Sequence, residues 1–259
     1  MTMHIWPALE LDDWRETFET VHRWTQIVGK TRLALSPTQS HWWHVALYVS
    51  TRGLRTSPIP YGHRTFEVEL DFVAHMLIVQ TSDGTTSTMP LMRKPTAELY
   101  DEYMTLLRSL DIEVTIWPVP VEVDDRTPFT KDDVHCSYDP EAIHRYWQAL
   151  VQVDRVFHRA GERWMGKASP VHFWWGSFDL AHTRYSGRLA PPHPGGLPHI
   201  ADRVVREAYS HECASIGFWP GGGAIREAAF YAYVLPEPAG YTTAAIRPAP
   251  ARYDAALRE

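Results

Sequence analysis

Imidazoles and carboxylates collect in the second half of this 259-residue chain, at His172, Asp179, His182, His193, His211 and Glu212. Two chemistries suit such a set. Neutral imidazole nitrogen favours Zn²⁺, Fe²⁺ or Mn²⁺, so His172, His182, His193 and His211 are candidate metal ligands and a divalent metal is a candidate cofactor. The spacing matches neither HExxH nor any other familiar ligand pattern. On a strand, the even separation of His172 and His182 puts both on one face and Asp179 on the other. Without a metal, His211 and Glu212, with His193 and Tyr209, form a candidate set for acid–base catalysis on a small molecule. Trp174 and Trp175 would wall that pocket, with Arg184, Arg52 and Tyr61 as further ligand-binding candidates. The competing reading makes these residues structural, hydrogen-bonded among aromatic rings. Nucleophilic chemistry has less support: Ser210 lies in no GxSxG elbow, and nothing in the sequence lowers the Cys213 pKa.

Composition narrows the field further. The chain holds 11 Trp and 14 His, with a formal charge of −6. Basic residues are scattered, which argues against nucleic acid as a partner. Apolar runs are too short to span a membrane, and Met1 to Pro7 lacks the pattern of a secretory signal. Two cysteines, Cys136 and Cys213, make no disulfide framework and fit buried thiols in a cytoplasmic protein. The loop Trp219-Pro-Gly-Gly-Gly223 reads as a turn, since it has neither the Lys of a P-loop nor GxGxxG spacing.

These residues need a scaffold. Asp12 or Asp13 can cap a helix carrying Trp14, Phe18, Val21, Thr25 and Val28 on one face, with Gly29-Lys30 ending it. Trp43 to Val49, Thr65 to Phe72 and Met76 to Gln80 are strand-like, with a turn at Ser82-Asp83-Gly84. Pro95 opens a helix presenting Leu99, Tyr103, Leu106 and Leu110, and Ile112 to Trp117 alternates as a strand. Asp139-Pro140-Glu141 is a strong helix start, preceding a stripe of Ile143, Tyr146, Leu150, Val153, Phe157 and Trp164. Gly166-Lys167 then reads as an end signal, and strands return at Val171 to Tyr185, Tyr209 to Trp219 and Ala229 to Leu235.

The two halves also resemble each other. Val21-His22-Arg23 and Gly29-Lys30 correspond to Phe157-His158-Arg159 and Gly166-Lys167. Ser36-Pro37 and His41-Trp42-Trp43 correspond to Ser169-Pro170 and His172-Phe173-Trp174-Trp175. Thr51-Arg52 and Thr183-Arg184 follow, and each half then has P-x-P-x-G, at Pro58 and at Pro192. The expected fold is α+β: two diverged helix–antiparallel-meander–helix repeats related by a pseudo-two-fold. Residues 1–123 form the first, 124–138 a linker and 139–259 the second, the two making one compact unit. Each Trp pair would lie on a strand with its rings facing opposite ways. The second copy stops about one turn into its closing helix, so that element reads as cut short.

Trp24-Thr-Gln-Ile-Val-Gly-Lys30, Ser169-Pro-Val-His-Phe-Trp-Trp-Gly-Ser-Phe-Asp-Leu180, Tyr209-Ser-His-Glu212 and Phe218-Trp-Pro-Gly-Gly-Gly223 resemble a bacterial family catalogued as domain of unknown function 5996. The resemblance covers nearly the whole chain and implies a continuation beyond Glu259; it implies no activity. The functional expectation is therefore a small-molecule-binding protein or enzyme with a His/Glu-lined, Trp-walled pocket in the second repeat. The alternative is a non-catalytic structural or interaction protein that oligomerises through aromatic surface. The two differ in what they need: convergent polar groups in one pocket, or a contiguous exposed apolar patch.

Overall fold

The computed structural model describes residues 6–222 and 225–258. Gly223 of the Gly-rich loop, Met1 to Ile5 and Glu259 lie outside the described residues. The fold is α+β, with two antiparallel sheets and long helices. Helix α1 (Leu11–Leu35) opens the chain, and the expected face, with Trp14, Phe18, Val21 and Val28, is buried. It does not stop at Gly29. A Cβ there would lie 2.3 Å from the Trp175 ring, so Gly29 is the seat of that indole rather than a helix end.

The first sheet contains β1 (Tyr48–Val49), β2 (Gly53–Arg55), β3 (Ile59–Tyr61), β4 (Arg64–Asp71), β5 (Met76–Thr81) and β6 (Thr86–Pro90). Its order is β1-β2-β4-β5-β6, with β3 also paired to β4. The β5–β6 turn follows its sequence signature, Asp83 accepting from the Thr81 hydroxyl and Thr85 N–H while Gly84 takes φ 91°. Helix α2 (Thr96–Ser109) buries Leu99, Tyr103 and Leu106 as expected. Ile112 to Trp117 is extended but joins no ladder, so its alternation reports burial of Ile112 and Ile116 rather than a strand.

Residues 124–138 form no loose linker. Phe129 and Asp132 are fully buried, Asp132 pairing with Arg23 Nε at 3.1 Å and His135 Nδ1 at 2.9 Å. Helix α3 (Pro140–Gly161) begins as its sequence requires, Asp139 accepting from the Glu141 and Ala142 N–H groups with Pro140 at the first position. It ends at Gly161, leaving Trp164 off the stripe and 40% exposed. Lys167 is likewise beyond the helix, its Nζ donating to His41 Nε2 at 2.7 Å.

The second sheet has β7 (His172–Trp174), β8 (Asp179–Leu189), β9 (His211–Trp219) and β10 (Ala229–Leu235), in the order β10-β9-β8-β7. A short helix α4 (Asp202–Ala208) precedes β9. The sheets meet where Leu47 and Phe173 exchange backbone hydrogen bonds of 2.9 and 2.7 Å. One continuous apolar core draws on α1, α2, α3 and both sheets. Neither Trp pair sits wholly on a strand. His41 and Trp42 have left-handed backbone (φ 56° and 61°) within a 3-10 turn, and Trp174 ends β7 with Trp175 in the turn beyond. No closing helix follows β10 among the described residues.

Candidate active site

A cavity of about 2100 Å³ lies against the second sheet. Strand alternation sorts its lining. Asp179, Ala181, Thr183 and Tyr185 of β8 share a face with Cys213 of β9 and with Tyr231 and Tyr233 of β10. Phe230 and Ala232 point to the other face and also line it, so the space wraps around β10, the sheet edge. Trp42, Trp174, Trp219 and the segment from Thr115 to Arg126 supply further wall.

Two acids lie on the first face. Asp179 is buried and accepts hydrogen bonds from Ser177 Oγ and the Tyr231 hydroxyl. Burial raises its pKa despite both donors. Tyr231 reaches it across β9 because the residue opposite is Gly217, where a Cβ would fall 2.0 Å from the phenol ring. Tyr231 also stacks on Tyr233 (centroids 6.2 Å apart, planes 7° apart), and the Tyr233 hydroxyl meets that of Tyr209 at 3.0 Å.

Glu122 is the second acid. Its segment is pinned to α1 by residues one turn apart: Gln26 exchanges two 2.9 Å hydrogen bonds with the Val121 backbone, and Lys30 Nζ donates to Val119 O at 2.9 Å. One turn earlier, His22 donates to Gly176 O at 2.8 Å. A Cβ at Gly176 would sit 2.0 Å from Glu122 Oε1, so the glycine makes room for the carboxyl group. Glu122 is an exposed residue on the cavity wall, and its side chain has no hydrogen bond or ion pair among the described residues. Crowding by the protein atoms of the wall, reinforced by the Asp179 charge, pushes its pKa up to about 7, and solvent in the cavity moderates both effects. Glu122 and His199 on the cavity wall have left-handed φ of 55° and 59°. Such strain in non-glycine residues concentrates where surrounding structure imposes it.

Few of the residues expected from sequence meet here. Tyr209 and Trp174 line the cavity. Trp175 touches it too, but is buried on Gly29 with its indole N–H donating to Val45 O at 2.8 Å, a core residue first. His193 stacks on Tyr209 (5.5 Å) without lining the cavity, and His211 packs edge-on to His41 at 5.6 Å. Glu212 points to the opposite face, paired with Arg188 and Ser186, which hold its pKa down. Arg184 shares that face, capping α3 at Ala160 O. Arg52 pairs with Asp71 at 2.5 Å and Tyr61 accepts from Glu113 N–H, both in the first half.

The proposed metal ligands do not converge. His172 pairs with Ala181 across β7 and β8, which puts His182 on the opposite face and Asp179 on the His172 face, the reverse of the expected arrangement. Even spacing failed because the turn between the strands resets the register. Among the described residues, no three His, Cys, Asp or Glu side chains could hold a metal ion together. His172 is buried with both ring nitrogens unpartnered, and burial pushes its pKa down to about 3.

The fold and cavity define an α+β protein with an aromatic-walled pocket lined by both acids and cations, and among the described residues no helix is long and apolar enough to cross a membrane. Residues 6–259 match the model of a family of unknown function (DUF5996), and the chain belongs to that family. No curated protein and no solved structure matches it.

Proposed function

We propose that the chain binds a small organic molecule in this cavity and that Glu122, beside Asp179, exchanges a proton with it. The observation that carries this reading is an unpaired carboxyl group, on strained backbone, facing a cavity walled by Trp and Tyr. A carboxyl group titrating near 7 gives or takes a proton at neutral pH, which suits general acid–base work. Asp179, held by Ser177 and Tyr231, raises the Glu122 pKa, and the Tyr209–Tyr233 pair offers hydroxyls to orient a polar ligand. The acid–base role thus passes from the histidine set to two acids at the junction of the halves. Free Cys136 and Cys213 fit a cytoplasmic setting. A shared order of long helix then antiparallel meander supports reading the halves as diverged copies.

A screen of polar aromatic and hydroxylated metabolites by thermal shift tests the proposal. Hits should stabilise the wild-type chain and Glu212→Gln, altered on the opposite face, but not Glu122→Gln or Asp179→Asn. Hits that stabilise all four proteins equally would place the ligand elsewhere. One observation favours an interaction protein instead: Trp6 and Phe230 are 47% and 54% exposed and pack edge-on at 6.0 Å. That reading requires a concentration-dependent dimer in sedimentation velocity, lost in Phe230→Ser.

A further inference from the structure

Lys30 is only 4% exposed, yet it has no acidic partner among the described residues. One of its three N–H bonds meets Val119 O, and its ammonium lies 5.0 Å from the Trp117 ring centroid and 5.9 Å from those of Phe129 and Trp175. Arg126 stands over the same Trp117 ring at 5.7 Å and makes no hydrogen bond or ion pair among the described residues. Lys30, Arg126 and Trp117 all line the cavity. Ring faces offset part of the cost of burying a cation, but two like charges around one indole repel, and neither cation has an ion pair among the described residues.

We propose that Lys30 and Arg126 form an anion subsite that receives a carboxylate or phosphate group of the ligand. This rests on the small-molecule reading above and narrows its substrate class. Lys30 is eight residues along α1 from His22, which holds Gly176 beside Glu122. Lys30 also holds Val119 O at 2.9 Å, three residues before Glu122, so one small molecule carries both the anion and the group that exchanges a proton with Glu122. Burial, and to a lesser degree repulsion from Arg126, lowers the Lys30 pKa to about 8, and the charge of an anion between the two cations would offset both.

The test uses the full chain with three probes, inorganic phosphate, benzoate and neutral benzamide, each against equal sodium chloride. Thermal shift reads binding, and ¹³Cε lysine NMR follows the Lys30 titration. Phosphate or benzoate should raise both the melting temperature and the Lys30 pKa, while benzamide and chloride should not. Arg126→Gln, at an exposed position, should weaken the response about tenfold, the loss of one charge-assisted contact. A response to phosphate alone assigns a phosphoryl ligand, and one to benzoate alone a carboxylate. No response at tens of millimolar, or one undiminished in Arg126→Gln, overturns the subsite. Glu122→Gln separates the two proposals: an anion response that survives it, with no Glu122-dependent hit, removes the acid–base reading and leaves the subsite standing.

Discussion

Gly176 and Glu122 are coupled through van der Waals contact. Adding one methyl at Gly176 would set a Cβ 2.0 Å from Glu122 Oε1, so Gly176→Ala must push the carboxyl group out of its seat. Carboxyl ¹³C NMR should then show the Glu122 midpoint falling from about 7 toward the ordinary glutamate range. An unchanged midpoint would mean that Gly176 does not position it. The raised pKa also has a sign in stability. Between the unfolded and folded values the native chain holds the extra proton, so this contribution is lost as pH rises toward 7 and beyond. Glu122→Gln should recover stability at pH 8 relative to pH 5, of order 1 kcal/mol once the cavity's solvent screening is allowed for. Urea unfolding at both pH values measures it. None of this was legible from the sequence, because Glu122 sits in a polar run, Val121 to Arg126, whose meaning comes from Gln26 and Gly176 far along the chain. The histidines misled for a related reason. Their face depends on strand register, and a turn between His172 and His182 alters it.

At the scale of elements, local signals were reliable wherever the cause was local. Asp139-Pro140-Glu141 starts α3, Ser82-Asp83-Gly84 turns β5 into β6, and alternation marks β4, β5 and β10. Signals failed where a distant group decides the outcome. Gly29-Lys30 looked like a helix end, yet Gly29 admits Trp175, and Lys30 holds Val119. Opposing magnitudes decide what Gly29→Ala does. Replacing a mid-helix glycine by alanine gains up to about 1 kcal/mol of helix propensity. The new Cβ would stand 2.3 Å from the buried indole, and overpacking of that kind costs about 1–3 kcal/mol. Net destabilisation of up to about 2 kcal/mol in urea unfolding is the expected outcome. A stabilised variant would show that Trp175 can move aside without loss.

The whole molecule is tied together by one core that joins both sheets to α1, α2 and α3, and titrating groups buried in it act on stability together. Burial lowers the pKa of six histidines, His22, His41, His44, His75, His172 and His182, with His22 at about 4 and His172 at about 3. A histidine neutral when folded but free to protonate when unfolded stabilises fully above about pH 6.5, and that contribution fades as pH falls through the interval down to its folded value. Glu122, Asp154 and Asp179, whose pKa values are raised, act in the opposite sense. Six histidines against three acids make the net direction acid-labile: urea unfolding should show stability declining from pH 6.5 toward 4. The contribution of His172 can be isolated, because neither of its ring nitrogens has a partner to lose. His172→Phe keeps most of the ring's packing beside Trp174 and removes the buried polar atoms, which should stabilise the chain by about 1 kcal/mol at neutral pH. It should also lessen the acid slope by up to about 1.4 kcal/mol per pH unit, one proton's worth. If the slope is unchanged, His172 is already protonated in the folded chain and its seat is wetter than its burial implies.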